Sequence, residues 1–95
     1  MARFRLEFHR KAKKELDKLD FQTKVFIVRS LELFIDSYDE TYERQMIERG
    51  NIRQLKGEWR GFYRLRLRNY RVIYEKINDR LVIHIVRIAH RREVY

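Results

Sequence analysis

The sequence has no cysteine, no proline and only three glycines. Without cysteine there is neither a disulfide framework nor a thiolate zinc site. Its three histidines (His9, His84 and His90) have no carboxylates clustered around them in the sequence, which argues against a metal enzyme. Purely apolar runs stop at four or five residues, far short of the roughly twenty needed to cross a bilayer. The opening stretch MARFRLEFHRK lacks an apolar signal core, so a cytoplasmic protein with no membrane partner is expected. There is no Gly/Ser linker, repeat or low-complexity tract, and a chain of 95 residues is expected to form one domain over 1–95.

What the chain does have is enough apolar material for a core and an uneven charge. Hydrophobic residues make up 44%, so wholesale disorder is not expected although 39% of residues are charged. The net charge is +9. Residues 1–50 carry 11 Lys/Arg against 10 Asp/Glu, whereas residues 51–95 carry 12 against 4. Most of that second-half excess is arginine, which suits planar, bidentate contacts with phosphate. A polyanion partner follows: nucleic acid, an acidic protein, or both. The plainer reading is a solvated basic face kept for solubility.

The hydrophobic pattern predicts an α+β fold. Residues 2–8 alternate, with Phe4, Leu6 and Phe8 on one side, and read as a half-buried strand. Residues 9–18 switch to helical spacing, Asp20 offers an N-cap, and residues 21–37 form the longest helical pattern. Phe21, Val25, Val28, Leu31, Phe34 and Ile35 are expected to face the core. Residues 38–50 are polar and open to three readings: more helix, a separate turn, or a loop ending at Gly50. After Asn51 the period becomes two, giving strands near 63–67, 70–75 and 81–89, with a short strand or lead-in at 52–56. The expected fold is an N-terminal strand, a two-helix hairpin and an antiparallel meander of about three strands. The first strand should pair in parallel with a later one, because the helical hairpin supplies the crossover.

Alternation places Arg64, Arg66 and Arg68 on one strand face, repeating about every 7 Å, close to the spacing of phosphates along a nucleic-acid strand. Arg71 opens the next strand and joins the same patch. Trp59, Phe62 and Tyr70 lie near these residues and can stack bases, or Trp59 and Phe62 simply pack beneath a loop. The C-terminal run holds His90, Arg91 and Tyr95, which can move a proton, neutralise a transition-state charge and stack or polarise a nucleotide. The same run reads equally well as a solvated tail.

The run LKG (Leu55–Gly57), then GFYRLRLRNYRVIYE (Gly61–Glu75), then LVIHIVRIAHRREVY (Leu81–Tyr95) resembles the RelE/ParE superfamily of toxins from toxin–antitoxin pairs, and the RelE branch more than the ParE branch. The resemblance spans nearly the whole chain. It implies a RelE-like fold and a ribosome-dependent messenger-RNA endonuclease held inactive by an acidic antitoxin. Attack of a ribose 2′-hydroxyl on its own phosphate in the A site would need neither metal nor cofactor. The resemblance puts Arg71, His90, Arg91 and Tyr95 in catalytic roles and Arg64 and Arg66 on the RNA backbone. Arg68, by alternation, and Lys56, by its charge, are expected to bind RNA with them. Messenger RNA on the ribosome, with 16S ribosomal RNA contacts, is the expected partner besides the antitoxin. Two departures stand out. Arginines replace the lysines common at the positions of Arg64 and Arg66, and arginine cannot usefully give up a proton. Arg53 occupies the place where a subgroup has a glutamate base. His90 is therefore the expected proton carrier. The alternative activities are a ParE-like DNA gyrase poison without chemistry of its own, and a non-catalytic RNA- or ribosome-binding module.

Overall fold

In the computed structural model, which describes residues 3–93, the period-two stretch becomes β1 (Arg5–Phe8). His9 then stops the strand, and its Nδ1 accepts from the Lys11 N–H at 3.0 Å to cap α1 (Arg10–Asp17). α1 buries Ala12 and Leu16. Asp20 caps α2 (Phe21–Ser37) through the Thr23 N–H. The Thr23 hydroxyl donates to the same carboxylate at 2.6 Å. These two hydrogen bonds hold the Asp20 carboxyl below the usual carboxylate range.

Residues 38–50 resolve the three-way reading. Asp39 caps a third helix, α3 (Glu40–Glu48), by accepting from the Tyr42 N–H at 2.7 Å. Gly50, at φ 80°, ends it. Gly50 N–H donates to Ile47 and Asn51 N–H to Met46, a paired closure that needs the left-handed backbone glycine accepts without strain. The two-helix hairpin is therefore followed by a third short helix.

Four strands follow: β2 (Ile52–Gln54), β3 (Phe62–Leu67), β4 (Tyr70–Ile77) and β5 (Val82–His90). They form an antiparallel meander with one register shift between β4 and β5, and β1 joins parallel to β5, giving the sheet order β1-β5-β4-β3-β2. The meander thus has four strands where about three were expected, the short 52–56 segment supplying the fourth.

The helices cover one face of the sheet. Leu65, Val72, Tyr74, Ile83, Ile85 and Ile88 form a core with Leu16, Ile27, Leu31 and Phe34 of the helices. Phe21 and Val25 are corrections: Phe21 is 78% exposed, Val25 is half-buried outside the core and lines a surface groove with it, and Ile27 is buried in their stead. The segment from Val25 to Val28 is apolar on successive residues, so spacing alone does not choose the inward side of α2.

Glu43 of α3 enters this core at 6% exposure. It accepts from the Tyr74 hydroxyl at 2.7 Å, the Tyr38 hydroxyl at 3.0 Å and the Lys76 ammonium at 2.8 Å. Burial, and then the Glu43 charge and hydrogen bond, push both phenols far above their ordinary value. Burial alone would lower Lys76, but its bonds and charge interactions with Glu43 and Tyr63 outweigh that and raise it.

Candidate nucleic-acid interface

Sheet register decides which side chains share the face away from the helices. Tyr63, Leu65 and Leu67 of β3 lie on the helix side with the core. Phe62, Arg64 and Arg66 therefore occupy the other, open side. Arg71, Ile73 and Glu75 of β4 do the same, since Val72 and Tyr74 are core residues.

Pairing then sets these residues in rows across the strands. One row pairs Arg66 with Arg71 and Arg71 with Ala89. The next pairs Arg53 with Arg64, Arg64 with Ile73, and Ile73 with Arg87. A third pairs Phe62 with Glu75, Glu75 with His84, and His84 with Glu7 of β1. Rows are about 7 Å apart along the strands. Ile73 is only 1% exposed between Arg64 and Arg87, whose long stems can cover apolar surface.

The arginines differ in how they are held. Arg87 is gripped by Glu15 of α1, with Nε at 3.0 Å and a terminal nitrogen at 2.9 Å. Arg71 donates to the carbonyls of Arg68 and Tyr70 at 2.9 and 3.0 Å. Arg66 donates to the Asn51 side chain at 3.2 Å. Among the described residues Arg53, Arg64 and Arg66 form no ion pair. The Arg64 Nε is buried and has no hydrogen-bond acceptor.

Several expected site residues sit elsewhere. Arg68 is a correction. It lies in the two-residue turn between Leu67 and Tyr70 at φ 55°. There its guanidinium lies 4.1 Å from the ring of Phe26 on α2, on the helix side. The left-handed turn backbone breaks the alternation that would have put it beside Arg66.

His90 is a second correction. It pairs with Tyr70, and the rings meet edge to face at 5.4 Å. Two residues along, Val72 and Ile88 pair inside the core. Tyr70 and His90 therefore project to the helix side, opposite Arg71, and Tyr70 is not part of the basic face. The His90 Nδ1 accepts from the Arg92 N–H at 3.2 Å.

Arg91 is exposed in the turn after β5, its N–H bonded to the Asn69 carbonyl at 2.7 Å. Lys56 is exposed and shares a cleft with Arg53, Gln54, Leu55 and Trp59. Tyr95 lies outside the described residues. Trp59 and Phe62 pack edge to face at 5.3 Å.

The structure also assembles a group that spacing did not reveal. His84 Nδ1 lies 3.0 Å from Glu75, and the His9 ring is 5.9 Å away. These three line a depression of about 340 Å³ with Lys11, Trp59, Phe62, Val86 and Arg87. Among the described residues no group of three potential ligands is placed to hold a metal ion. One signal was available: His84 is a polar residue in an otherwise apolar stretch from Leu81 to Val86. Its partner could not be read off, because the pairing of β4 with β5 shifts between Ile73 and Tyr74.

Comparison with known proteins agrees with this architecture. The fold resembles the archaeal RelE–RelB complex from Pyrococcus horikoshii at 25% identity and a TM-score of 0.69, covering 98% of this chain and 100% of that one. The RelBE2 toxin–antitoxin complex from Mycobacterium tuberculosis matches at 20% identity and TM-score 0.69, over 94% and 99% of the two chains. The intact RelBE complex of E. coli matches at 24% and 0.66, over 94% and 96%. No curated protein matches in sequence. Residues 6–95 match the family model described as the ParE toxin of type II toxin–antitoxin systems, parDE. The chain belongs to this toxin family of the RelE/ParE superfamily, and its fold is that of the RelE toxins.

Proposed function

We propose that this toxin is a ribosome-dependent endoribonuclease that cuts messenger RNA through the ribose 2′-hydroxyl, without metal or cofactor, and is neutralised in the cytoplasm by an acidic antitoxin. The observation that carries the reading is the doubled arginine pairing on the open sheet face, Arg53 with Arg64 and Arg66 with Arg71. Like charges set directly opposite each other weaken a sheet. Folding gains nothing from the facing charges themselves, whereas a polyanion lying across the face gains two rows of guanidiniums. Arg64 and Arg66 hold the backbone, with Lys56 at the margin. Arg71, aimed by two carbonyls, stabilises charge on the cleaved strand, and Arg91 and Tyr95 act from the C-terminal run. The ribosome and its 16S RNA orient the message, which can supply as much as about 7–11 kcal/mol of the barrier.

The antitoxin reading rests on the same charge and on the likeness to RelE–RelB complexes. A surface groove along α2 is lined by Phe21, Val25 and Val28, with Lys24, Arg29 and Glu32 at its rim. That surface suits an acidic amphipathic segment, which would continue over the arginine face and exclude RNA. Binding should weaken with salt at the arginine face and less at the groove. An antitoxin complex that leaves Arg64, Arg66 and Arg71 uncovered would overturn the blocking role.

A second reading has one observation in its favour: the matching family model is that of ParE. In that reading the basic face binds DNA gyrase and performs no chemistry. Induction in cells followed by mapping of message ends separates the two. Cuts within A-site codons support the nuclease, and intact messages with a DNA-damage response support the gyrase poison. In single-turnover cleavage on programmed ribosomes, Arg71→Ala should lower the rate on the order of 10²-fold, by analogy with losing one transition-state donor. An unchanged rate would remove Arg71 from the mechanism.

A further inference from the structure

Cleavage by a 2′-hydroxyl calls for a group that takes its proton. Arginine is unsuited to that role, and His90 projects to the helix side of the sheet. On the open side, His84 is half-buried and bound through Nδ1 to Glu75 at 3.0 Å. Since a carboxylate only accepts, Nδ1 carries the hydrogen, and the lone pair of the neutral ring is on Nε2. A carboxylate that fixes a histidine's tautomer and steadies its charged form is the arrangement a general base requires.

The surroundings fit a nucleotide. Trp59 and Phe62 supply aromatic surface on one side of the depression. On the other side His9 already accepts the Lys11 N–H at Nδ1, so its neutral ring offers Nε2–H as a donor. Lys11 is the exposed cation there, because the Arg87 guanidinium is taken up by Glu15. The Glu75–His84 row comes next after the Arg53–Arg64 row. His84 lies one row along and two strands across from Arg64, about 12 Å by row and strand spacing, so a strand held at Arg64 and running obliquely over the sheet brings its second phosphate on to His84.

We propose that His84 is the general base of RNA cleavage and Glu75 its positioning residue, with the scissile nucleotide seated in the depression between the start of α1 and the Trp59–Phe62 pair. The proposal rests on the endoribonuclease reading and moves the reacting phosphate away from Arg71, which lies two rows (about 14 Å) from His84 and holds the strand there, while Lys11 and His9 are the donors beside the depression. His84 Nε2 takes the proton of the ribose 2′-hydroxyl. The O2′–P bond forms and the P–O5′ bond breaks. The departing 5′-oxygen takes a proton from water, and the hydroxide left takes back the proton held by His84, giving a 2′,3′-cyclic phosphate, a 5′-hydroxyl and the neutral ring. The charged and titratable groups around the ring are Glu75 on β4, Glu7 on β1, Arg87 on β5, and His9 and Lys11 at the start of α1.

The test is single-turnover cleavage of a defined messenger on programmed ribosomes, with ribosome binding and a melting curve on the same preparations. His84→Ala should lower the rate on the order of 10²- to 10⁴-fold without weakening binding. Added imidazole should restore part of the rate, since the depression can admit it. His84→Phe, a residue that suits a strand, should stay folded, remain slow and resist imidazole. Glu75→Gln should fall less, because its amide oxygen still accepts the Nδ1–H. The parental protein should also show an ionisation in its pH–rate profile that His84→Ala lacks. Parental rates in both His84 variants overturn the proposal. So does a loss that tracks a lowered melting temperature and that imidazole does not restore. If the parental protein leaves the message intact, the endoribonuclease reading falls and the base falls with it. If it cleaves and His84 proves dispensable, only the base falls.

Discussion

Glu43 and Arg64 lie on opposite sides of the same sheet. The Glu43 carboxylate, 6% exposed, takes hydrogen bonds from two phenols and an ammonium. The Arg64 Nε, equally hidden from solvent, has no acceptor, and its cross-strand neighbour is another arginine. Burying an ionic group costs free energy unless its hydrogen bonds and charge are answered. The helix side obeys that rule at Glu43, and the open side breaks it at Arg64. A side built for the fold and a side held ready for a ligand would differ in this way.

The largest effect should come from breaking the satisfied side. Glu43→Ala leaves Lys76 without its carboxylate and two buried phenols without an acceptor. Losing one partner of a buried pair costs about 3–5 kcal/mol, a large share of the roughly 5–15 kcal/mol by which a domain is stable. Urea unfolding should show that loss, and Glu43→Gln, which keeps an acceptor, should lose less. Equal midpoints for Glu43→Ala and the parent would mean that the network is incidental.

This network also marks where the sequence stops being legible. Alternation in 2–8 and 63–67 gives the strands because their inward residues are apolar and their outward ones are not. The parallel pairing of β1 with β5 follows from the helical crossover. α3 was ambiguous because its most buried side chain is a carboxylate, to which apolar periodicity is blind. Phe21 was misplaced because α2 is apolar almost all round between Val25 and Val28. The site was legible as far as Arg64, Arg66 and Arg71, whose face the alternation gives. Arg68 and His90 were not, because a left-handed turn residue and the pairing of His90 with Tyr70 set their sides. The Glu75–His84 pair depends on a register shift that leaves no trace in composition.

A smaller effect should appear at high pH. Tyr38 and Tyr74 titrate above their ordinary value of 10.0 in the folded protein, through burial first and Glu43 second. Lys76 is raised above 10.5. For a raised group the stabilisation is complete below the unfolded pKa and is lost as pH climbs towards the folded one. Stability should therefore be level through neutrality with respect to these groups and fall once pH passes 10.0. Each phenol that ionises only on unfolding contributes about 1.4 kcal/mol per pH unit. Denaturant midpoints measured from pH 8 to 11 would show it. Tyr38→Phe and Tyr74→Phe, combined, should flatten the alkaline limb at the cost of some stability at neutral pH.

The smallest effect is the one that bears most directly on the comparison, because its sign is opposite. Arg64→Met keeps an unbranched apolar stem beside Ile73 and removes both the buried Nε and the charge facing Arg53. A buried donor without a partner costs about 1–3 kcal/mol, and a like-charged cross-strand pair about 0.2–1 kcal/mol. Lost packing by the rest of the guanidinium offsets part of that, so the variant should be more stable than the parent by about 1 kcal/mol, read as a melting point about 4–8 °C higher. Salt should raise the parent's melting point more than the variant's, because it screens a repulsion the variant no longer has. On the reading proposed for the open face, the same substitution should weaken cleavage and shallow the salt dependence of RNA binding. A variant that is more stable and less active would locate the cost of function at Arg64. A variant that melts lower than the parent would mean that the arginine is structural, and the contrast between the two sides of the sheet would lose its main support.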